Sequence, residues 1–211
     1  MLKKLIIPKC PSAQSLEQVS NHLDALEKIN IDYSPWDDHF DGKVSFTISY
    51  DADTIYIKYF VLEKDVIAKY ININDPVYKD SCVEFFIAFD GEENYYNFEF
   101  NSKGTCLAQN GNSKNERNFL AVSSIKKIKT ISTFRNNKEG GFVEWELIVA
   151  IPREVFSYDH INDFSGKKAK MNLYKCGDDL PKPHYLCWSP IQSEEPNFHL
   201  PEFFGEATFQ N

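Results

Sequence analysis

The sequence predicts a mainly β protein, an antiparallel β-sandwich of the immunoglobulin or jelly-roll type with one N-terminal helix. Apolar and polar residues alternate with a period of two along most segments after residue 43, and Gly, Asn and Asp separate these segments. The chain has 211 residues, enough for one well-packed sandwich. Aromatic residues make up 15% of it, which suits strands. We therefore expect a single domain over residues 1–211, with an N-terminal extension and helix in 1–40 and the sandwich in 43–209.

The helix is predicted by apolar residues at helical spacing, among them Leu16, Val19 and Leu23. Ser15 and Gln18 occupy the positions of a capping box ahead of this stripe. We expect the helix to cover an edge or an end of the sheets.

An acidic loop follows the helix and carries Asp37, Asp38 and Asp41. Carboxylate oxygens grouped in this way are typical ligands of calcium. The loop lacks the EF-hand pattern. A structural calcium ion is therefore a candidate and not a firm prediction, and we predict no other cofactor.

The alternating segments give the strand order of the predicted sandwich. We expect strands at 43–50, 54–62, 65–73, 82–90, 95–102, 105–109, 125–134, 141–151 and 169–176, and a short strand after Gly205. Pro152 suits the first position of a short helical turn. Residues 110–118 read as a polar loop.

One hairpin, residues 77–104, combines the strongest alternation with a possible site. Val83 and Phe85 belong to its core face, whereas Glu84 belongs to the opposite face. A symmetric turn would set Phe85 opposite Phe100 and Glu84 opposite Asn101. The second face would then carry a carboxylate and a carboxamide roughly 5 Å apart, which predicts a polar-ligand site.

Charge and cysteine usage exclude several function classes. The net charge of −8 argues against nucleic acid as a partner, because phosphate neutralisation needs a basic surface. The five cysteines are irregularly spaced and include no CxxC pair, which argues against a zinc knuckle or a redox motif. The opening MLKKLIIP is too short for a signal peptide, and no apolar run reaches membrane-spanning length. We expect no membrane partner and a cytoplasmic location by default, or a periplasmic or secreted one if a leader has been removed.

An ordered set of segments carries a family resemblance. The segments are YDADTIYI, VYKDSCVEFFIAF, YNFEFNSKG, VEWELIVAIP, KMNLYKC and the tail WSPI…FHLPEFFGEATF. Together, from about residue 43 to residue 209, they resemble the family 9 carbohydrate-binding modules and the wider group of DOMON-like sandwiches. The resemblance implies a noncatalytic module that binds a mono- or oligosaccharide and serves glycan breakdown, with a glycan-degrading enzyme as a candidate partner.

The resemblance also implies a set of ligand-binding residues, with the sugar clamped between two aromatic rings. The rings correspond to Tyr78 and Phe198, and the hydrogen-bonding residues to Glu84 and Asn101. Glu99 stands where the family often has an arginine. Tyr174 stands where the family has an amide side chain in the strand before the last loop, and Asn172 lies near it. Apart from the resemblance, His199 is a candidate to hydrogen-bond a ligand because it follows Phe198, and a structural role is its alternative.

Two other functions stay open at this point. A glycosidase needs two opposed carboxylates, for which Glu84 and Glu99 are candidates, although both lie on one hairpin. Some DOMON-like domains bind haem through Met and His ligands, which here would have to be Met171 and His199.

Overall fold

The computed structural model describes residues 2–11, 15–36, 40–89, 93–136 and 140–211. The strands, in chain order, are β1 (Lys4–Ile7), β2 (Ile29–Asn30), β3 (Lys43–Tyr50), β4 (Thr54–Glu63), β5 (Cys82–Phe89), β6 (Tyr95–Asn101), β7 (Cys106–Gly111), β8 (Arg117–Phe119), β9 (Lys129–Asn136), β10 (Val143–Pro152), β11 (Lys168–Cys176), β12 (Tyr185–Cys187) and β13 (Gly205–Phe209). The helices are α1 (Leu16–Asp24) and the one-turn α2 (Val122–Ile125), and short 3-10 turns lie at Val77–Lys79, Arg153–Val155 and Pro201–Phe203.

The strands form two sheets. Sheet A has the order β1-β13-β11-β5-β6-β7-β8, with β12 also paired to β11, and sheet B has the order β2-β3-β4-β10-β9. The predicted mainly β, antiparallel sandwich is confirmed, with one parallel pair added where β1 lies beside β13.

The core between the sheets follows from the period-two alternation. On β5, Val83, Phe85 and Ile87 point into this core, as the alternation predicts, and sheet B contributes residues such as Tyr59 and Trp145. The Tyr59 hydroxyl donates to the backbone oxygen of Glu84 at 3.0 Å, which links the two sheets directly beneath the outer face of β5.

Helix α1 packs on the outer face of sheet B. Its N-cap is Ser15, whose side chain accepts from the Gln18 amide at 3.3 Å, as predicted. Val19 and Leu23 pack against Ile148 of β10, so the expectation that the helix covers an edge or an end of the sheets is wrong. None of the described helices combines the length and the apolar content that a membrane span requires.

The predicted strand at 65–73 is wrong, because a side chain takes the hydrogen bonds that a strand partner would need. The carboxylate of Asp80 accepts from the amides of Lys69 at 3.2 Å and Tyr70 at 3.0 Å. Local side-chain acceptors of this kind compete with a sheet ladder. The segment therefore runs as an irregular loop beside the end of β5.

Two further segments also differ from the predictions. Residues 122–125 form α2 and β9 begins only at Lys129, so Ile125 is a buried helix residue rather than the start of a strand. In the predicted polar loop, β7 reaches Gly111 and pairs with β8. A Cβ at Gly111 would lie 2.1 Å from the Glu116 carbonyl oxygen, so glycine permits this close pairing.

Candidate functional site

A cavity of about 500 Å³ lies on the outer face of sheet A, next to the segment 196–199. Strands β5, β6, β7 and β11 and the loops at 74–78 and 196–199 provide its walls. The lining residues are Asn74, Pro76, Tyr78, Glu84, Glu99, Leu107, Gln109, Lys114, Phe119, Cys176, Asp178, Tyr185, Pro196, Asn197, Phe198 and His199. Rings and polar groups thus face one concave space, as is typical of small-molecule sites.

The outer face of sheet A is covered by the C-terminal tail rather than by water. Phe86 and Tyr174, which point away from the inter-sheet core, form a second apolar cluster with Phe198 and Phe204 of the tail. Every residue of β5 and β6 is buried as a result. The polar groups on this face are therefore held in a desolvated environment.

The pairing of β5 with β6 differs by two residues from the predicted register. Glu84 lies opposite Glu99, and Asn101 lies opposite Cys82. A two-residue shift leaves each side chain on its predicted face, but it replaces the expected pair of a carboxylate and a carboxamide by two carboxylates.

The two glutamates are buried acids. Burial raises the pKa of Glu84 well above its usual range, and the neighbouring Cys176, whose thiol donates to Glu84 Oε1 at 3.1 Å, adds to this effect. Burial also raises the pKa of Glu99, to about 7. Both side chains line the cavity, Glu84 at 3% and Glu99 at 5% exposure.

The two oxygens of Glu99 differ in their surroundings. Oε1 accepts from Asn97 Nδ2 at 2.8 Å, and Asn97 is itself fixed by Arg117, whose Nε and Nη2 donate to Asn97 Oδ1 at 2.9 and 2.6 Å. Oε2 is buried and has no hydrogen-bond partner within the described part of the chain. A buried acceptor of this kind is uncommon and calls for an explanation.

The aromatic rings of the cavity are of two kinds. Phe198 stacks on Tyr174 with ring centroids 4.1 Å apart, and the Tyr174 hydroxyl donates to the Phe198 carbonyl oxygen at 3.1 Å, so Tyr174 fixes Phe198 from below. Tyr78 and Tyr185 also line the cavity, and they are half-buried, whereas Phe198 is buried. Trp36 packs against both Phe198 and Tyr185 at the rim.

His199 reaches the cavity as a neutral side chain. Its ring lies 4.9 Å from the ring of Phe86, and its Nδ1 lies 3.0 Å from the Tyr95 hydroxyl. Burial, together with the positive charges of Arg117 and Lys114, lowers the pKa of His199 to about 3. The imidazole is therefore a hydrogen-bonding group at neutral pH.

Three of the expected site residues do not line the cavity: Tyr174, which stacks on Phe198, and the two amides Asn101 and Asn172. Asn101 has no exposed surface, and its amide donates to the Tyr70 carbonyl oxygen at 2.8 Å and to Asp80 Oδ2 at 3.0 Å. Its Oδ1 accepts two backbone amides of the following turn. Asn172 is equally buried and pairs with the backbone N–H and C=O of Ser189 at 2.8 and 2.9 Å. Both amides join loops to the sheet, and neither lines the cavity.

The haem and calcium expectations meet different outcomes. Met171 points into the inter-sheet core, whereas His199 lies on the opposite face of sheet A, so the predicted pair of haem ligands is not brought together. Asp37 and Asp38 of the predicted calcium loop lie outside the described residues. Their neighbour Asp41 forms ion pairs with Lys64 and Lys182, both at 3.3 Å.

The sequence analysis missed several lining residues. Cys176 and Asp178 stand at the end of β11, and Tyr185, whose hydroxyl hydrogen-bonds to Asp178, stands at the start of β12. Gln109 is the last residue of the predicted strand at 105–109, and Lys114 comes from the region read as a polar loop. Alternation of apolar and polar residues indicates which face of the sheet a residue occupies. It does not indicate which strand ends, distant in the sequence, lie next to each other in the fold.

Comparisons with known proteins give a consistent result. A family model described as carbohydrate-binding family 9 matches residues 16–209. A solved structure from Bacteroides uniformis, for which carbohydrate binding has been suggested, is 33% identical with a TM-score of 0.88, and each chain is covered over 100% of its length.

Two solved structures from Caldicellulosiruptor kristjanssonii share the fold at lower identity. They are family 9 carbohydrate-binding modules, one in complex with glucose (13% identity, TM-score 0.60) and one with cellotriose (14% identity, TM-score 0.58). They match over 99% of this chain and over 96% and 94% of their own. None of the curated proteins is significantly similar in sequence to this chain.

Proposed function

Because the chain belongs to carbohydrate-binding family 9, we propose that the cavity on the outer face of sheet A binds a sugar. The observation that carries the proposal is a cavity lined by aromatic rings and by Glu99, whose buried Oε2 has no hydrogen-bond partner in the described residues. A sugar hydroxyl supplies the missing donor. The modules from Caldicellulosiruptor kristjanssonii bind glucose and cellotriose, which makes these two sugars the first ligands to test.

The rings of the cavity suit a sugar because pyranoses present flat C–H faces to aromatic surfaces. Tyr78 and Phe198 are the two rings that would hold the ligand, and Tyr185 adds a third surface at the rim. The stacking of Phe198 on Tyr174 keeps the Phe198 ring in place before the ligand arrives. Such preorganisation reduces the conformational entropy lost on binding.

The polar groups select a neutral ligand with several hydroxyls. Glu84, Glu99 and Asp178 supply carboxyl oxygens, Gln109 supplies an amide and His199 a neutral imidazole. An anionic sugar would meet the two facing glutamates and be repelled by any negative charge they carry. We therefore favour an uncharged mono- or oligosaccharide.

In this proposal the protein is noncatalytic and serves glycan breakdown by holding the sugar for a glycan-degrading enzyme. Glu84 and Glu99 have the raised pKa values of candidate acids, but they come from neighbouring strands and stand side by side on one wall. A glycosidase places its two carboxylates on either side of the scissile bond. Turnover of an aryl glycoside that is lost in Glu99→Gln would favour the enzyme instead.

Isothermal titration calorimetry with glucose and cellotriose tests the site. Tyr78→Ala should weaken binding about tenfold, which corresponds to 1.4 kcal/mol, because a ring surface is lost. At a pH above 7, where Glu99 with its pKa of about 7 is ionised, Glu99→Gln should weaken binding by about 1.5–3 kcal/mol, the value of a hydrogen bond to a charged group.

Matched controls separate the site from the rest of the surface. Tyr158→Ala removes an exposed ring, and Glu27→Gln neutralises an exposed carboxylate, both outside the cavity. Both should bind like the unmodified protein. If Tyr78→Ala and Glu99→Gln also keep full affinity, the sugar lies elsewhere and the proposal fails.

A further inference from the structure

Three buried side chains, Cys82, Glu84 and Cys176, converge at the floor of the cavity. Their ligand atoms, two sulfurs and one carboxylate oxygen, all lie within 4.8 Å of one another. Within the described ranges, this is the one group of three or more Cys, His, Asp or Glu side chains with such a spacing. We propose that these residues bind a divalent metal ion of the zinc class.

The sheet holds the three residues in fixed relative positions. Cys82 of β5 and Cys176 of β11 lie directly opposite each other in an antiparallel pair. Glu84 follows Cys82 by two residues and so points to the same face of the sheet. All three belong to central strands of sheet A, so the donor atoms are positioned by backbone pairing and not by a mobile loop.

The spacing suits a small tetrahedral ion. Zinc binds sulfur at about 2.3 Å and carboxylate oxygen at about 2.0–2.2 Å, which puts tetrahedral ligand atoms about 3.5–3.8 Å apart. Cys176 Sγ and Glu84 Oε1 are 3.1 Å apart, and the longest separation in the group does not exceed 4.8 Å. Side-chain adjustments of less than an ångström would bring all three atoms to bonding distance.

The donor set selects the kind of ion. Two thiolates with one carboxylate favour zinc and other borderline or soft ions, whereas calcium and magnesium prefer oxygen ligands alone. Each thiol releases its proton when the ion binds.

Three protein ligands leave a fourth coordination position open. Glu84 and Cys176 line the cavity while Cys82 lies behind them, so the open position faces the cavity. Water or an oxygen of a bound ligand would complete the tetrahedron, which is the arrangement of zinc sites that interact with other molecules. The ion site does not depend on the sugar proposal, although Glu84 is common to both.

A titration with Co²⁺ as the probe, in the absence of sugar, tests the site. The reduced, chelator-treated protein should bind one equivalent of Co²⁺ and develop a thiolate-to-cobalt charge-transfer band in the near ultraviolet. Zn²⁺ should displace the Co²⁺ and abolish this band. Cys82→Ser and Cys176→Ser should each lose the band. Glu84→Gln should weaken the affinity at least about tenfold, the loss that even outer-shell substitutions cause.

Cys10→Ser is the matched control, because Cys10 is also buried but packs with the helix on the outer face of sheet B. It should keep the band unchanged. Since a serine variant can fail to fold, X-ray absorption of the Zn²⁺-loaded unmodified protein gives a second measurement, which should show two sulfur ligands at about 2.3 Å. A band that survives in both Cys82→Ser and Cys176→Ser, a shell without sulfur, or isolation of the two cysteines as a disulfide overturns the proposal.

Discussion

The buried His184 should make the fold acid-sensitive. Its Nε2 lies 2.7 Å from Lys175 Nζ and 3.9 Å from the Glu63 carboxylate. Its Nδ1 donates to the Lys182 carbonyl oxygen at 3.1 Å, and Phe40 packs against its ring. Nε2 therefore accepts from the lysine and cannot carry a proton. Burial, reinforced by the charge of Lys175, lowers the pKa of His184 to about 3.

The sign of the effect follows from proton uptake in the two states. The unfolded chain protonates this histidine near pH 6.5, whereas the folded chain does so only near pH 3. The stability contributed by the neutral imidazole is thus complete above pH 6.5 and is lost as the pH falls toward 3. The loss is about 1.4 kcal/mol per pH unit, or about 3 kcal/mol at pH 4.5.

Urea denaturation between pH 7 and pH 4.5 measures this loss against His184→Gln. The Gln side chain retains an acceptor for Lys175 but does not titrate, so the variant should show a slope of unfolding free energy against pH that is smaller by about 1.4 kcal/mol per unit. His160→Gln, at an exposed histidine, should leave the slope unchanged. Equal slopes in the unmodified protein and His184→Gln would refute the reasoning.

Three further predictions concern stability. Lys175→Met should lower the unfolding free energy by about 3–5 kcal/mol, because Glu63, at 3.0 Å from the lysine, is left buried without a counter-ion; adding Glu63→Leu should recover part of the loss in chemical denaturation. Asn101→Ala should cost about 1–3 kcal/mol and speed amide hydrogen exchange in the turn that follows, and unchanged protection there would contradict its structural role. Gly205→Ala should lower the melting temperature, because its Cβ would lie 2.6 Å from the Trp188 ring; an unchanged value would contradict this packing.

The strands could be predicted because alternation records which face of a sheet is buried. The same property explains the failure at the β5–β6 pair. A shift of two residues keeps every side chain on its face, so the sequence cannot distinguish Glu84 opposite Asn101 from Glu84 opposite Glu99. Residues 65–73 also alternate, but the Asp80 carboxylate binds their amides, and alternation contains no record of such a competitor.

The candidate site could be predicted in part. Tyr78, Glu84, Glu99 and Phe198, all singled out from the sequence, line one cavity. Cys176 could not be found in this way, because its position beside Glu84 depends on the pairing of β11 with β5, and the two residues are 92 positions apart in the chain. The same pairing places the Cys176 thiol next to Cys82, so the two sulfur atoms lie close together although the sequence contains no CxxC pattern.

Hydrogen-bond partners distinguish Asn101 from Glu99, two residues that the sequence alone placed in the same site. Asn101 and Glu99 lie on the same strand and the same face and are buried to a similar degree, so burial and position do not distinguish them. Asn101 has partners for its amide and its oxygen, and a ligand contact would require breaking one of them. Glu99 Oε2 has none within the described residues, and leaving such an atom unpaired costs about 1–3 kcal/mol. A donor that binds in the cavity would recover this cost, so our proposal assigns the ligand role to Glu99 and the structural role to Asn101.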